Sequence, residues 1–136
     1  MENTLKNIFF TLLLLSSALF ADLKNEFITQ ELLNSKTPIV DIRTPDEWRE
    51  TGLLKNAIPI MFFNERGGYD LNDWLKELNA KVDTSKPFAL ICHTGNRTSM
   101  LAPYLAKELG YKVINLKGGM DYATRGLKMK TYRYMK

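Results

Sequence analysis

The residues with the clearest capacity for chemistry lie in "CHTGNR", Cys92 to Arg97, directly after the apolar run "FALI". Cys92 is the only cysteine among 136 residues, and His93 the only histidine. Gly95 and Asn96 are residue types that accept unusual backbone angles, so the chain can curl there with its amide hydrogens inward. Such a curl is a nest for an anion, and a helix starting near Arg97 or Thr98 adds free donors and partial positive charge. The anion closest to hand is the Cys92 sulfur. These fields favour its thiolate, which is the nucleophilic form. Arg97 adds a fixed positive charge able to hold an anionic substrate. The expected chemistry is nucleophilic, covalent and centred on sulfur.

A lone cysteine is often an inert, buried, small apolar residue, and in an exported chain it can also pair between molecules or serve in thiol exchange. Position separates these readings. In open α/β sheets ligands sit outside the carboxyl ends of the strands, and Cys92 lies at such an end. Around it the other candidates weigh less. His93 reads as a solvent-exposed loop residue. One histidine with one cysteine makes a poor metal site, so neither metal nor organic cofactor is expected. Thr94 either offers a hydroxyl to a bound anion or simply serves the turn. Asp41 and Arg43 form a charge pair near the end of the first strong strand. Gly118 and Gly119 lack the following Lys–Ser or Lys–Thr of a phosphate loop and read as a turn. Trp48 and Trp74 fit core positions. The segment "MFFNERGGYDLN", Met61 to Asn72, is long and aromatic for a connection; it suits a pocket wall, with Glu65, Arg66 and Tyr69 touching substrate.

The elements that must position Cys92 alternate along the chain. "ITQELLNSK" is a short helix capped by Thr29, and "PIVDIR" a buried strand. "TPDEWRE" is a helix with Thr44 as cap, Pro45 at its first position and acids in its first turn. "NAIPI" is a weaker strand, and "DLNDWLKELNA" carries Leu71, Trp74, Leu75 and Leu78 at helical spacing. "PFALIC" and "KVINL" are strands. Between them "RTSMLAPYLAKELG" is a helix presenting Met100, Leu101, Tyr104, Leu105 and Leu109 on one side and stopping at Gly110. "GGMDYATRGL" is a turn into a last short helix. This order argues for one α/β domain with a mainly parallel sheet.

Residues 1–21 stand apart. Lys6, the apolar run Ile8 to Leu15 and the small residues of "SSALFA" have the layout of a secretory signal peptide, cleaved after Ala18 or Ala21. The apolar stretch falls short of the ~20 residues of a membrane-spanning helix, with an uncleaved anchor as the alternative. The expected organisation is therefore a signal peptide, 1–21, and a single domain, 22–136, in the periplasm or outside the cell, with no stable membrane span after cleavage. The net charge of +4 is mild; seven basic residues and one acid lie from Lys112 to Lys136, and this end reads as solvated, not as a nucleic-acid or membrane contact.

The stretches "ITQELLNSKTPIVDIRTPDEWRE" and "ICHTGNRTSMLAPYLAKELGYKVINLKGGM", in this order and at this distance, resemble the rhodanese-like single-domain sulfurtransferases over nearly all of residues 22–136. The resemblance implies a central, mainly parallel sheet of about five strands flanked by helices on both faces. It implies that Cys92 accepts a sulfane sulfur from thiosulfate, polysulfide or a persulfide, and passes it to a thiol, cyanide or a partner protein. The amides of His93, Thr94, Gly95, Asn96, Arg97 and Thr98 would cradle the outer sulfur, and Asp41 with Arg43 would brace the loop. Similar cysteine phosphatases and arsenate reductases place five residues between Cys and Arg. Here four intervene, a tighter ring suited to one sulfur atom. "TGLLKNAIPI" lacks the histidine and first proline of the family's usual Gly-His-Ile-Pro-Gly-Ala stretch, which bears on donor and acceptor. A persulfide carrier that serves one partner protein without efficient turnover is the alternative.

Overall fold

The strands are β1 (Leu23–Phe27), β2 (Ile39–Asp41), β3 (Ile58–Pro59), β4 (Phe88–Ile91) and β5 (Val113–Lys117). The helices are α1 (Gln30–Asn34), α2 (Pro45–Thr51), α3 (Leu71–Lys81), α4 (Asn96–Leu109) and α5 (Gly119–Asp121), the last running into a π-helical turn at Tyr122–Gly126. The computed structural model describes residues 22–136; the expected signal peptide lies outside the described residues. The sheet order is β1-β5-β4-β2-β3, and every pairing is parallel.

β4 is central, and all of its residues are buried, because a parallel strand covered on both faces needs apolar side chains at every position. On one face Val40, Phe88, Leu90 and Cys92 pack with Trp74 and Leu78 of α3 and Leu101 and Leu105 of α4. On the other, Ile39, Ala89, Ile91 and Leu116 meet Leu54, Met120, Ala123 and Met129, with Leu32 and Leu33 of α1 alongside. Helices thus flank both faces, as the resemblance implies. Among the described residues no helix is long and apolar enough to cross a membrane.

Three features differ from the sequence reading. β1, "LKNEF", carries no apolar alternation, because as an edge strand its side chains are partly or fully exposed; it is held to β5 by the backbone ladder, with the Asn115 side-chain amide donating to Asn25 Oδ1 at 2.9 Å. The buried stripe of α4 is Thr98, Leu101, Ala102, Leu105 and Ala106, whereas Met100, Tyr104 and Leu109 face solvent. Two alanines on the inner side let the helix sit close to the sheet, and the larger side chains turn outward. The C-terminal end is not wholly solvated. Its charges are exposed, but Met129 is buried, Tyr132 exchanges two backbone hydrogen bonds with Leu53, and Tyr134 meets Trp48 edge-on at 5.2 Å.

Candidate active site

β4 delivers Cys92 to the carboxyl end of the central strand, and the chain turns at once into α4. Gly95 makes the turn at φ 97°, a left-handed angle, and caps α4 without a side chain. Asn96 is already the first helical residue, so the helix begins slightly earlier than its sequence suggests and only Gly95 uses unusual backbone freedom. The Gly95 amide donates to Cys92 Sγ at 3.2 Å. Among the described residues no other amide from His93 to Thr98 donates to a protein group.

The carbonyls explain why the amides are left free. Cys92 O accepts from the Met120 amide at 2.8 Å and His93 O from the Asp121 amide at 2.9 Å. Gly95 O accepts from the Ser99 hydroxyl at 2.6 Å and the Ser99 amide at 3.1 Å. Each of these carbonyls is therefore held by a partner outside the curl. The Gly118–Gly119 turn makes this possible. A Cβ on Gly119 would run into the carbonyl oxygens of Cys92 and His93, and one on Gly95 would come within 3.0 Å of the Gly118 amide nitrogen. Sequence reasoning read the glycine pair as a plain turn; its position at the end of the strand beside β4 is the signal that it clasps the loop.

Cys92 keeps 1% of its surface, less than a reactive thiol on an open face. His93, Thr94 and Asn96 are exposed, so the layer over the sulfur is the loop itself. The Thr98 hydroxyl lies 3.6 Å from Sγ and 3.2 Å from Gly95 O. It has one proton to give. Beside a thiol it donates to Gly95 O; beside a thiolate it can turn to the sulfur. Thr94 and His93 point their side chains to solvent-exposed positions and bond nothing in the loop among the described residues.

Arg97 is held by Glu47 of α2 through two short bonds, 2.6 Å and 2.8 Å, and its charge is thereby balanced. The Glu47 hydrogen bond raises the guanidinium's pKa against the pull of burial, with the charges of Glu47, Cys92 and Asp41 adding to it. On the other side burial works to raise the Glu47 carboxyl. The Arg97 bond and charge, the Thr44 amide and Arg43 together outweigh it and hold the carboxyl below its ordinary value. Glu47 also closes the capping box of α2 with Thr44. It is a site residue that sequence reasoning left among the acids of a first turn, since nothing in the spacing ties it to a partner 50 residues away.

Asp41 and Arg43 are buried and paired at 2.9 Å. Their remaining bonds go to α2 and not to the loop. Arg43 donates to the Thr51 hydroxyl and the Gly52 carbonyl, and Trp48 Nε1 donates to Asp41. The bracing implied by the resemblance is thus relayed: the pair fixes α2, and α2 presents Glu47 to Arg97. Glu65 lies beside Asp46, whose hydrogen bond and charge push its carboxyl up, and Arg66 is exposed. Of the three residues expected to touch substrate from this segment, Tyr69 alone lines a groove, with Phe62 and Phe63. Trp48 and Trp74 are buried as expected.

The sequence pattern described as the rhodanese-like domain matches residues 22–124. The protein RP600 of Rickettsia prowazekii is 31% identical over 94 residues, 66% of this chain and 74% of its own. A rhodanese-like domain protein from Staphylococcus aureus is 25% identical with a TM-score of 0.54, over 72% of this chain and 88% of that one. The polysulfide-sulfur transferase homodimer of Wolinella succinogenes is similar in fold, with a TM-score of 0.56 at 20% identity over 91% of this chain and 88% of its own. With the all-parallel five-stranded sheet and the loop at its central strand, the match places the chain: it belongs to the rhodanese-like domain family, which is of sulfurtransferase type.

Proposed function

We propose that the protein is an exported sulfurtransferase in which Cys92 carries the sulfur as a persulfide. The supporting observation is the loop: an amide hydrogen on Sγ, further amides without protein acceptors, and carbonyls bound elsewhere. The Cys92 thiolate attacks the sulfane sulfur of a donor; the donor's S–S bond breaks and its remainder leaves with the electron pair. A nucleophilic acceptor then attacks the outer sulfur, and the Cys92 thiolate is the leaving group. The loop amides meet the negative charge at each stage without having to reorganise. Arg97 is already neutralised by Glu47, which favours neutral or singly charged persulfide donors over dianions such as thiosulfate.

Thiocyanate formed from a sulfane-sulfur donor and cyanide, abolished in Cys92→Ser, tests the catalytic reading. The coverage of Cys92 supports a second reading, a carrier that serves one partner protein. That protein would gain one sulfur in intact mass yet turn over slowly with small molecules. Absence of any sulfur gain at Cys92 would refute both. Export rests on Lys6 and the apolar run Ile8 to Leu15, and is tested by the N-terminus of the secreted chain, expected at Leu19 or Asp22.

A further inference from the structure

The long aromatic segment after β3 builds one wall of a groove. Phe62 is stacked by Tyr69 at 5.0 Å and met edge-on by Phe63 at 4.8 Å and Trp74 at 5.3 Å, so the wall is fixed by ring contacts on several sides. The opposite wall is Met100, Leu101 and Tyr104 on α4, with Leu71 between. The groove encloses about 330 Å³ and no charged side chain lines it. That size is at the small end of sites for small organic ligands. Tyr69 and Met100 are each 62% exposed, leaving apolar surface in water at the mouth of the groove.

Its place ties it to the sulfur. Leu101 follows Thr98 by one helical turn, and the Thr98 hydroxyl is 3.6 Å from Cys92 Sγ. Phe62, Leu101 and Cys92 pack in one cluster on the same sheet face. The cation nearest to the sulfur along the loop is bonded to Glu47. A groove without charge, beside a loop whose charge is balanced, suits an uncharged apolar body. Seven residues line it, far fewer than the ~20–30 a side of an ordinary protein interface.

We infer that this groove binds the apolar R group of a small thiol, R–SH, that exchanges sulfur with Cys92. The inference rests on the sulfur-transfer reading above. The thiolate R–S⁻ attacks the outer sulfur of Cys92–S–SH; the S–S bond breaks, its electron pair goes to Cys92 Sγ, and R–S–SH forms with the proton retained on the terminal sulfur. Read backwards, R–S–SH is the donor and occupies the same groove. No oxidant or reductant is consumed in either direction.

The test uses neutral n-alkanethiols from ethanethiol to pentanethiol as acceptors for the persulfide-loaded full chain, with loss of the extra sulfur followed by intact mass. The second-order rate constant is expected to rise about two- to fourfold per added methylene, corresponding to partial or full burial of each. Met100→Ser and Tyr104→Ser, both at exposed positions, should flatten that rise while leaving the thermal unfolding midpoint nearly unchanged. A flat series in the native protein, a steep series that survives both substitutions, or a requirement for a protein acceptor would overturn the groove's assignment while leaving persulfide transfer intact. If Cys92 never gains sulfur, the transfer reading fails on its own, and 1-pentanol decides the groove. Saturable amide shifts at Phe63, Tyr69, Met100 and Tyr104 support it, and their absence overturns it.

Discussion

The ion pair between Glu47 and Arg97 joins α2 to the Cys92 loop, and its strength can be worked from its surroundings. Exposed ion pairs contribute ~0.2–1 kcal/mol, whereas stripping one partner from a fully buried pair costs ~3–5 kcal/mol. The Arg97 and Glu47 side chains keep 24% and 26% of their surface, so neither limit applies. Two short parallel bonds raise the interaction above the exposed range, and solvent at a quarter of each side chain keeps it well below the buried one. A coupling of about 1–2 kcal/mol follows. Glu47→Gln keeps an oxygen for the Thr44 amide while removing the charge and one of the two acceptors of Arg97, so Glu47→Gln, Arg97→Ala and the double variant close a cycle in urea unfolding.

The same substitution has a kinetic signature. Without the Glu47 charge, Arg97 presents an unbalanced positive charge to the loop. One unit charge about 8 Å from a dianion in water-like surroundings is worth ~1 kcal/mol, or about fivefold in binding. Use of thiosulfate relative to a neutral trisulfide should rise by that factor in Glu47→Gln. The pH dependence has a definite sign. The folded Glu47 carboxyl titrates below its ordinary 4.5, so the pair's stabilisation is complete above that pH and is lost as pH falls through the lower folded value. The stability gap between the native chain and Glu47→Gln should therefore be constant from about pH 5 to 7 and close in stronger acid. A coupling under about 0.3 kcal/mol with an unchanged donor ratio would refute the reasoning.

Replacing Arg43 with leucine leaves Asp41 buried, charged and without its partner, and should cost about 3–5 kcal/mol in chemical unfolding. Gly119→Ala should cost about 2 kcal/mol or more and slow persulfide formation, because φ 55° and the Cys92 and His93 carbonyls both oppose a Cβ. Gly110→Ala, at φ 69° with open space around it, should cost only about 1 kcal/mol and leave persulfide formation unchanged. Iodoacetamide should alkylate Cys92 in the folded protein far more slowly than in urea, and more slowly than polysulfide adds sulfur to it; equal rates would place the thiol in the open. Removing residues from Thr131 onward deletes the Leu53–Tyr132 hydrogen bonds and the Tyr134–Trp48 contact, with an expected loss of about 1–3 kcal/mol by thermal unfolding.

What could be read from residue types alone was whatever is local. Thr44, Pro45 and Glu47 announce the start of α2 because a capping box is written in consecutive positions, and Gly110 ends α4 by its own left-handed angle. The Cys92 loop is equally compact, six residues from Cys92 to Arg97 with the turn-making glycine inside it. What could not be read depends on pairs far apart in sequence. The partner of Arg97, the clasp by Gly119 and the pairing of β1 are all set by the sheet order, which brings β5 and β2 to either side of β4. The expected inner face of α4 failed for a related reason. Helical spacing shows which residues share a side, but the closeness of the sheet decides whether leucines and alanines or methionine and tyrosine turn inward.

Fold and chemistry meet in the orientation of a few peptide groups. An amide can face the sulfur only if its neighbouring carbonyls have somewhere else to go, because a carbonyl oxygen turned inward would repel a thiolate. The chain supplies those destinations from two directions, the Met120 and Asp121 amides of α5 and the Ser99 amide and hydroxyl in the first turn of α4, while the Glu47–Arg97 bridge anchors that turn to α2. A change that loosens either set of donors releases a carbonyl before it exposes Cys92. Variants of the clasp should therefore lose reactivity toward sulfur donors while the thiol stays covered. A chain that relied on exposure of its cysteine would behave in the opposite way.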